Sequence, residues 1–228
     1  MATWIAHLRI AEKILEKYDI DELSFIAGNI GPDSGVPDVT RSKFDPPKKI
    51  THWVDDTIKG GESENIDHEG FYSQHVKSTE VSKFTDKRYA FILGYYIHLL
   101  TDIEWSRMHR KKIQIDQTYS NSLKENPQFI WEVKKDWYGL DFKYVRDEHD
   151  NIFMRSFIHI DKIPDYLDYF PKEAFTRQVK YIQEFYQGDN DWVNKEFKYL
   201  TKEEMDCFVE DTTHVIIDIL DKRIQRNT

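Results

Sequence analysis

The 228-residue sequence contains one cysteine, Cys207. That excludes an intrachain disulfide and any four-cysteine zinc site. Long hydrophobic runs are missing too. The greasiest segment, Tyr89–Leu100, falls short of the roughly 18 apolar residues of a membrane span and carries His98, so stable membrane insertion is not expected. The opening Met-Ala-Thr-Trp-Ile-Ala-His has neither a basic start nor the apolar core of roughly 7–15 residues that a secretory signal needs, so the expected location is cytoplasmic. Positive charge is in deficit: 32 Lys and Arg stand against 41 Asp and Glu, a net charge of −9. Bulk attraction to nucleic acid or to anionic membranes is therefore not expected, because phosphate backbones need a basic face. A phosphate substrate stays open, since a bound metal ion can supply positive charge locally.

Internal repeats, low-complexity tracts and clear linkers are also absent, and the reading is one mainly helical domain over residues 1–228. With 39% apolar residues, including 14 Phe, 13 Tyr and 6 Trp, the chain has the material for a packed core. Ile5, Leu8, Ala11, Leu15 and Tyr18 recur at helical steps and predict a first amphipathic helix ending near Asp19. A second, short helix is expected over Asp21–Ala27, stopped by the Gly28-Asn-Ile-Gly31-Pro32-Asp33 string. Residues 34–49, with Pro37, Pro46 and Pro47, read as a long loop. Helices are expected near 50–59 and 66–79, separated by the Gly60-Gly61-Glu62-Ser63 turn, and then near 120–138, 172–187 and 201–225. The stretch from Thr85 to Met108 is apolar nearly all round, as a buried central helix must be. Ile152–Ile160 reads as a short extended hairpin arm. The expected fold is an all-α bundle around that central helix, with one short β-hairpin.

Four strings could carry chemistry. In Phe91-Ile-Leu-Gly-Tyr-Tyr-Ile-His98-Leu-Leu-Thr-Asp102-Ile-Glu-Trp105, the i, i+4 spacing stacks His98 and Asp102 on one helical face inside the most hydrophobic stretch. An unpaired carboxylate is costly there; a metal would satisfy it, and so would a hydrogen-bonded pair that fixes helix packing. Asp33 follows a Gly/Pro turn and could point back into the bundle or serve as a turn residue. His52, in Lys49-Ile-Thr51-His52-Trp53, sits at an expected helix start, as ligand or as cap. His7 lies at the boundary of the first helix's apolar face, as ligand or as core-edge residue. Together, three histidines and two aspartates from four segments form the nitrogen and oxygen set that Zn²⁺ takes when cysteine is absent.

The order and local wording of these strings resemble the zinc-dependent phospholipase C family, which extends to the ectodomain of glycosylphosphatidylinositol-specific phospholipase D. More distantly the chain is similar to fungal single-strand-specific nucleases. The resemblance rests on Ala6-His7-Leu-Arg-Ile-Ala-Glu-Lys-Ile-Leu15, Ala27-Gly-Asn-Ile-Gly-Pro-Asp33, Thr51-His52-Trp53 and Phe91 to Trp105, roughly the first half of the chain. It implies an all-α fold whose cleft holds two or three zinc ions. Carried over, Asp33, His52, His98 and Asp102 would ligate one zinc, and His7 and Asp102 a second, with Asp102 bridging. Asp33 and Asp102 would be the catalytic carboxylates, Asp33 also as a base orienting the attacking water. The implied activity is phosphoester hydrolysis by a metal-activated hydroxide attacking phosphorus in a phospholipid or a small phosphodiester.

The family's fuller site adds an amino-terminal ligand, a His soon after the Asp102 position and a His-x3-Glu or His-x3-Asp pair. Here only six residues precede His7, His109 lies one helical turn past Trp105, and the one such pair is the distant His214-Val-Ile-Ile-Asp218. Asp136 and Asp141 could supply carboxylates instead. Two zinc ions are expected, with the third position unassigned. His68 and His75, seven apart, share a helix face that is either solvated or lines the cleft, whereas His149 and His159 have no partner spacing. A second reading of the whole chain is a helical binding or scaffold protein that retains a structural metal site. A third, a nuclease, is disfavoured by the acidic charge and by the lack of interleaved basic and aromatic residues.

Overall fold

The computed structural model describes residues 1–40, 42–55, 65–77 and 84–225. Helix α1 (Trp4–Leu15) starts where the Thr3 side chain accepts the Ala6 N–H, and it ends a turn earlier than the apolar spacing suggests. Helix α2 (Glu22–Gly28) is capped by Asp21, whose carboxylate accepts the Ser24 N–H at 3.1 Å. It gives way to a 3₁₀ turn, Gly31–Asp33, with Pro32 inside it. A two-stranded antiparallel hairpin follows, β1 (Val36–Pro37) and β2 (Phe44–Asp45), pairing Val36 with Asp45 and Pro37 with Phe44. Then come α3 (Lys48–Thr51), α4 (His68–Phe71) and a π-helical turn, Tyr72–Val76.

Helix α5 (Lys87–Ile115) is the central element. Asp86 caps it, and every residue from Tyr89 to Ile103, and Trp105, is buried. It runs past the expected end at Met108 because the Arg110-Lys111-Lys112 run forms helix well and suits a helix C-terminus. Helices α6 (Gln117–Glu125), α7 (Phe129–Asp147), α8 (Ile152–Arg155), α9 (Ala174–Gln187) and α10 (Lys202–Gln225) complete the described helices. A capping box opens α10: Thr201 Oγ1 accepts the Glu204 N–H at 3.1 Å, and the Glu204 carboxylate accepts the Thr201 N–H at 2.8 Å. Helix α1 lies against α10, tied by Arg9–Asp206 and Lys17–Asp221 ion pairs at 2.6 Å each. The all-α bundle with one short hairpin is thus the observed architecture. Among the described residues, no helix is long and apolar enough to cross a membrane.

Three local expectations are corrected. Ile152–Ile160 is not extended: Ile152–Arg155 is α-helical and Phe157–His159 forms a 3₁₀ turn. The Asn151 side chain starts the helical turn by accepting the Met154 N–H at 3.0 Å, and Phe153 and Phe157, one helical turn apart, stack in the core. The hairpin lies instead inside the stretch read as loop, where the Asp38 N–H donates to the Lys43 carbonyl and the Asp38 carboxylate gathers Thr40 and Ser42. The helix expected over 120–138 is two helices, because Pro127 lacks an N–H and holds Asn126 in an extended conformation. The expected 50–59 helix is seen only as α3, and the turn at Gly60–Ser63 lies outside the described residues, as do residues 78 and 79.

One packing feature positions the site. A Cβ on Gly28 would lie 2.0 Å from the Phe91 carbonyl oxygen, and one on Gly94 would lie 2.1 Å from the Phe25 carbonyl oxygen. The two glycines let α2 and α5 touch backbone to backbone. That contact carries the end of α2 alongside the His98 turn of α5.

Candidate metal centre

The backbone contact between α2 and α5 brings the Asn29 carbonyl oxygen 2.8 Å from His98 Nδ1. The shared hydrogen places the proton on Nδ1 and leaves the Nε2 lone pair facing inward. One turn on, Asp102 Oδ2 lies 3.6 Å from that Nε2. Helix α1 supplies His7, whose ring stacks on His98 at 3.8 Å and 3° and whose Nε2 lies 3.5 Å from Asp102 Oδ1. The 3₁₀ turn supplies Asp33, and the end of α3 supplies His52, whose Nε2 is 3.4 Å from Asp33 Oδ1 and 3.7 Å from Asp102 Oδ2. All five sequence-predicted residues therefore converge. They make up two potential metal-holding trios, His7-His98-Asp102 and Asp33-His52-His98, which share His98.

The side chains of His7, His98 and Asp102 are fully buried, and Asp33 and His52 nearly so. Yet among the described residues Nε2 of His7, His52 and His98 and Oδ2 of Asp102 have no hydrogen-bond partner. Orphaned buried polar atoms are costly. The separations of 3.4–3.7 Å are long for hydrogen bonds. They match instead the edge of a tetrahedron of ligands around one zinc ion, about 3.3 Å for bonds of about 2.0–2.1 Å. The donor set fits zinc.

Electrostatics agree with this fit. Burial pushes His7 down to about 4, helped by His98 and opposed by Asp102. Burial also lowers His52, against the pull of Asp33. For His98 burial is outweighed by Asp102, Asp33 and the Asn29 carbonyl, and its affinity for a proton rises. Burial of Asp33 is likewise outweighed by His52 and His98, and that of Asp102 by the Met1 amino group, His7 and His98, so both carboxyls sit below the usual range. Two ionised carboxylates thus share a buried pocket with imidazoles of which two resist protonation. A divalent cation would balance that charge.

The family model for zinc-dependent phospholipase C matches residues 6–194. The chain belongs to the zinc-dependent phospholipase C family. The match runs well past the first half of the chain, where the sequence strings lie, and takes in α7, α8 and α9. Membership in a zinc-dependent phospholipase C family implies zinc and metal-dependent phosphoester hydrolysis. No curated protein and no solved structure matches the chain.

Of the residues weighed for a third zinc of this family, Asp136, Asp141 and His109 have other partners. Asp136 is paired with Lys195 at 2.5 Å and accepts the Tyr199 N–H. Asp141 accepts from Thr3 Oγ1 at 2.7 Å and from the Tyr186 hydroxyl, which anchors the start of α1 and so the height of His7. His109 Nε2 lies 2.8 Å from the Tyr119 hydroxyl, and His214 is exposed on α10. Among the described residues, none of these joins a metal-holding group.

Sequence reasoning missed the residues that aim the ligands. Thr51 Oγ1 lies 2.9 Å from His52 Nδ1, and the Thr51 carbonyl accepts the Tyr95 hydroxyl from α5. Trp4 Nε1 donates to Asp33 Oδ2 at 2.8 Å, and the Ala2 N–H donates to Asp102 Oδ1 at 2.8 Å. Thr51 lies inside the Thr51-His52-Trp53 string and Trp4 two residues before the Ala6-His7 string, a signal that spacing alone does not weigh. The Ala2 and Asn29 contacts use backbone atoms and leave no trace in residue type.

A cleft of about 450 Å³ opens onto this cluster. Of the five clustered side chains, Asp33 is the one that lines it, beside Ala2 and Trp4.

Proposed function

We propose that the chain hydrolyses a phosphodiester, either of a phospholipid or of a smaller soluble molecule, acting as one domain over residues 1–228. Asp33, His52, His98 and Asp102 would hold one zinc ion, and His7 and Asp102 a second, with Asp102 bridging. The observation that carries this reading is the convergence of three imidazole Nε2 atoms, without partners among the described residues, on one carboxylate: those of His52 and His98 face Oδ2 of Asp102, and that of His7 faces Oδ1. Bound there, zinc supplies a nucleophile at neutral pH by lowering the pKa of a bound water, and positive charge for the phosphoryl oxygens.

The chain's own residues do the rest. Asn29 and Thr51 hold His98 and His52 with their free nitrogens inward. Asp33, facing the cleft and steadied by Trp4, accepts and orients a proton of the attacking water. Burial of the ligands strengthens every charge interaction at the reacting centre.

The test is metal content by mass spectrometry on untagged protein, together with hydrolysis of bis(4-nitrophenyl) phosphate and of phosphatidylcholine and phosphatidylinositol vesicles. Roughly two zinc ions per chain and zinc-dependent turnover are expected. Both should disappear in His98→Ala and Asp102→Ala while the helical circular-dichroism signal stays. Full turnover in either variant would overturn the reading. Zinc bound without turnover of any substrate would leave a binding protein with a structural metal.

A further inference from the structure

The cleft is lined mainly by aromatic and apolar side chains, among them Trp4, Phe44, Trp137 and Tyr138. Rings of this kind suit a quaternary ammonium group. Two lysines stand among them, however: Lys48 from the start of α3 and Lys134 from α7. Among the described residues Asp33 is the sole carboxylate in the lining, and His52 and Trp4 already engage it. Among the described residues neither lysine makes an ion pair, whereas Lys13, Lys17, Lys112, Lys135, Lys143, Lys195 and Lys202 each do. The two ammonium groups feel each other: Lys134 is half-buried, and burial first, then Lys48, weakens its hold on its proton. Lys134 Nζ lies 4.7 Å from the Trp131 ring centroid, which holds the chain in place without neutralising it. In a protein of net charge −9, two lysines without ion-pair partners among the described residues, on the walls of a cleft that reaches Asp33, are a local reversal of sign.

We propose that Lys48 and Lys134 form a second anion subsite in this cleft, which selects phosphodiesters whose headgroup carries a further phosphomonoester. Two ammonium groups match the charge of such a group, about −1.5 to −2 at pH 7. They repel a quaternary ammonium headgroup despite the aromatic lining. At about 450 Å³ the cleft is large enough for a phosphorylated headgroup. This selectivity rests on the hydrolase reading above. The same chemistry occurs on a lipid headgroup and on a soluble phosphodiester.

The experiment compares zinc-loaded wild type with Lys48→Gln/Lys134→Gln on two matched pairs. One pair is glycerophosphoinositol and its 4-phosphate in solution; the other is phosphatidylinositol and its 4-phosphate in vesicles. In wild type kcat/KM is expected to be about tenfold higher for the 4-phosphates, the value of a charge-assisted contact or two, and the double variant should bring that ratio near one. Preference in both pairs assigns the subsite to lipid headgroups, and preference in solution alone assigns it to soluble diesters. A wild-type ratio near one, a ratio the double variant leaves unmoved, or faster hydrolysis of phosphatidylcholine than of the 4-phosphate overturns the subsite. If wild type hydrolyses neither pair, the hydrolase reading fails and binding still decides the subsite. Quenching of Trp4 and Trp137 fluorescence should then report about tenfold tighter binding of inositol 1,4-bisphosphate than of inositol 1-phosphate, lost in the double variant. Equal binding of the two would overturn it.

Discussion

Asp102→Asn separates a metal ligand from a packing partner. Asp102 is fully buried; Oδ1 accepts the Ala2 N–H at 2.8 Å, and Oδ2 has no donor, with His98 Nε2 3.6 Å away and His52 Nε2 3.7 Å away. At those distances the carboxylate gains little from hydrogen bonding to either ring. In the Asp102→Asn variant the amide oxygen can keep the Ala2 N–H, and the amide NH₂ offers a hydrogen to a facing imidazole nitrogen. Metal-free variant and metal-free wild type should therefore unfold within about 1 kcal/mol of each other. Zinc changes the comparison. At a hundred times its Kd, zinc adds about 2.7 kcal/mol to wild type, a rise in Tm of about 5–10 °C for a chain of this size. The variant, short of one anionic ligand from the centre of the cluster, should show almost none of that rise. The assay is thermal unfolding at pH 8 of chelator-stripped protein, with and without added zinc. The opposite pattern, a metal-free loss of about 3–5 kcal/mol with the zinc response intact, is what a broken buried ion pair gives and would refute the reasoning.

Two further outcomes follow from the same geometry. Gly94→Ala puts a methyl 2.1 Å from the Phe25 carbonyl oxygen and 2.9 Å from the Asn29 nitrogen, so α2 and α5 must part. Urea melts should show a loss of about 1–3 kcal/mol or more, and zinc content should fall as Asn29 leaves His98; an unchanged midpoint with full zinc would count against this. Burial raises the Asp141 carboxyl to about 7, against hydrogen bonds from Tyr186 and Thr3. From about pH 4 to about pH 7 the unfolded chain ionises there before the folded one, so stability falls with rising pH, by roughly 4 kcal/mol at most. Asp141→Asn removes that fall, so the advantage of wild type over the variant in metal-free urea melts should shrink across this range. A difference that does not move with pH would refute the assignment.

The central helix was legible because residues 89–105 are apolar on every face, a pattern that only a buried element tolerates. The five clustered residues were legible because His and Asp stood where burial without a partner is costly. What spacing could not register was the hairpin, since its strands are two residues long and its turn is set by one side chain, Asp38, gathering Thr40 and Ser42. Nor could periodicity alone distinguish a helical turn from an extended arm at Ile152–Ile160, where six residues are apolar in a short stretch; the Asn151 cap decides it. At the site, the hidden part is the layer that fixes tautomers. It is made partly of backbone groups of Ala2 and Asn29, and any side chain at those positions would leave the same sequence silence.

The five candidate ligands come from α1, the turn after α2, the end of α3 and the middle of α5, elements that the unfolded chain keeps far apart. Metal binding to such a set is coupled to folding, because no preformed site exists before these elements dock. A zinc-stabilised fold is therefore expected of a hydrolase and of a scaffold alike. What differs is the route from the cluster to solvent. A structural zinc site closes its coordination with protein ligands, whereas a catalytic one keeps a position open. Here Asp33, the most exposed of the five, lies at the floor of a cleft large enough for a phosphorylated headgroup, and two lysines without ion-pair partners among the described residues line the same cleft. A structural metal has no use for that opening. Turnover on substrates that fit the cleft, measured beside zinc-dependent stability, is the quantity in which the hydrolase and the scaffold part company.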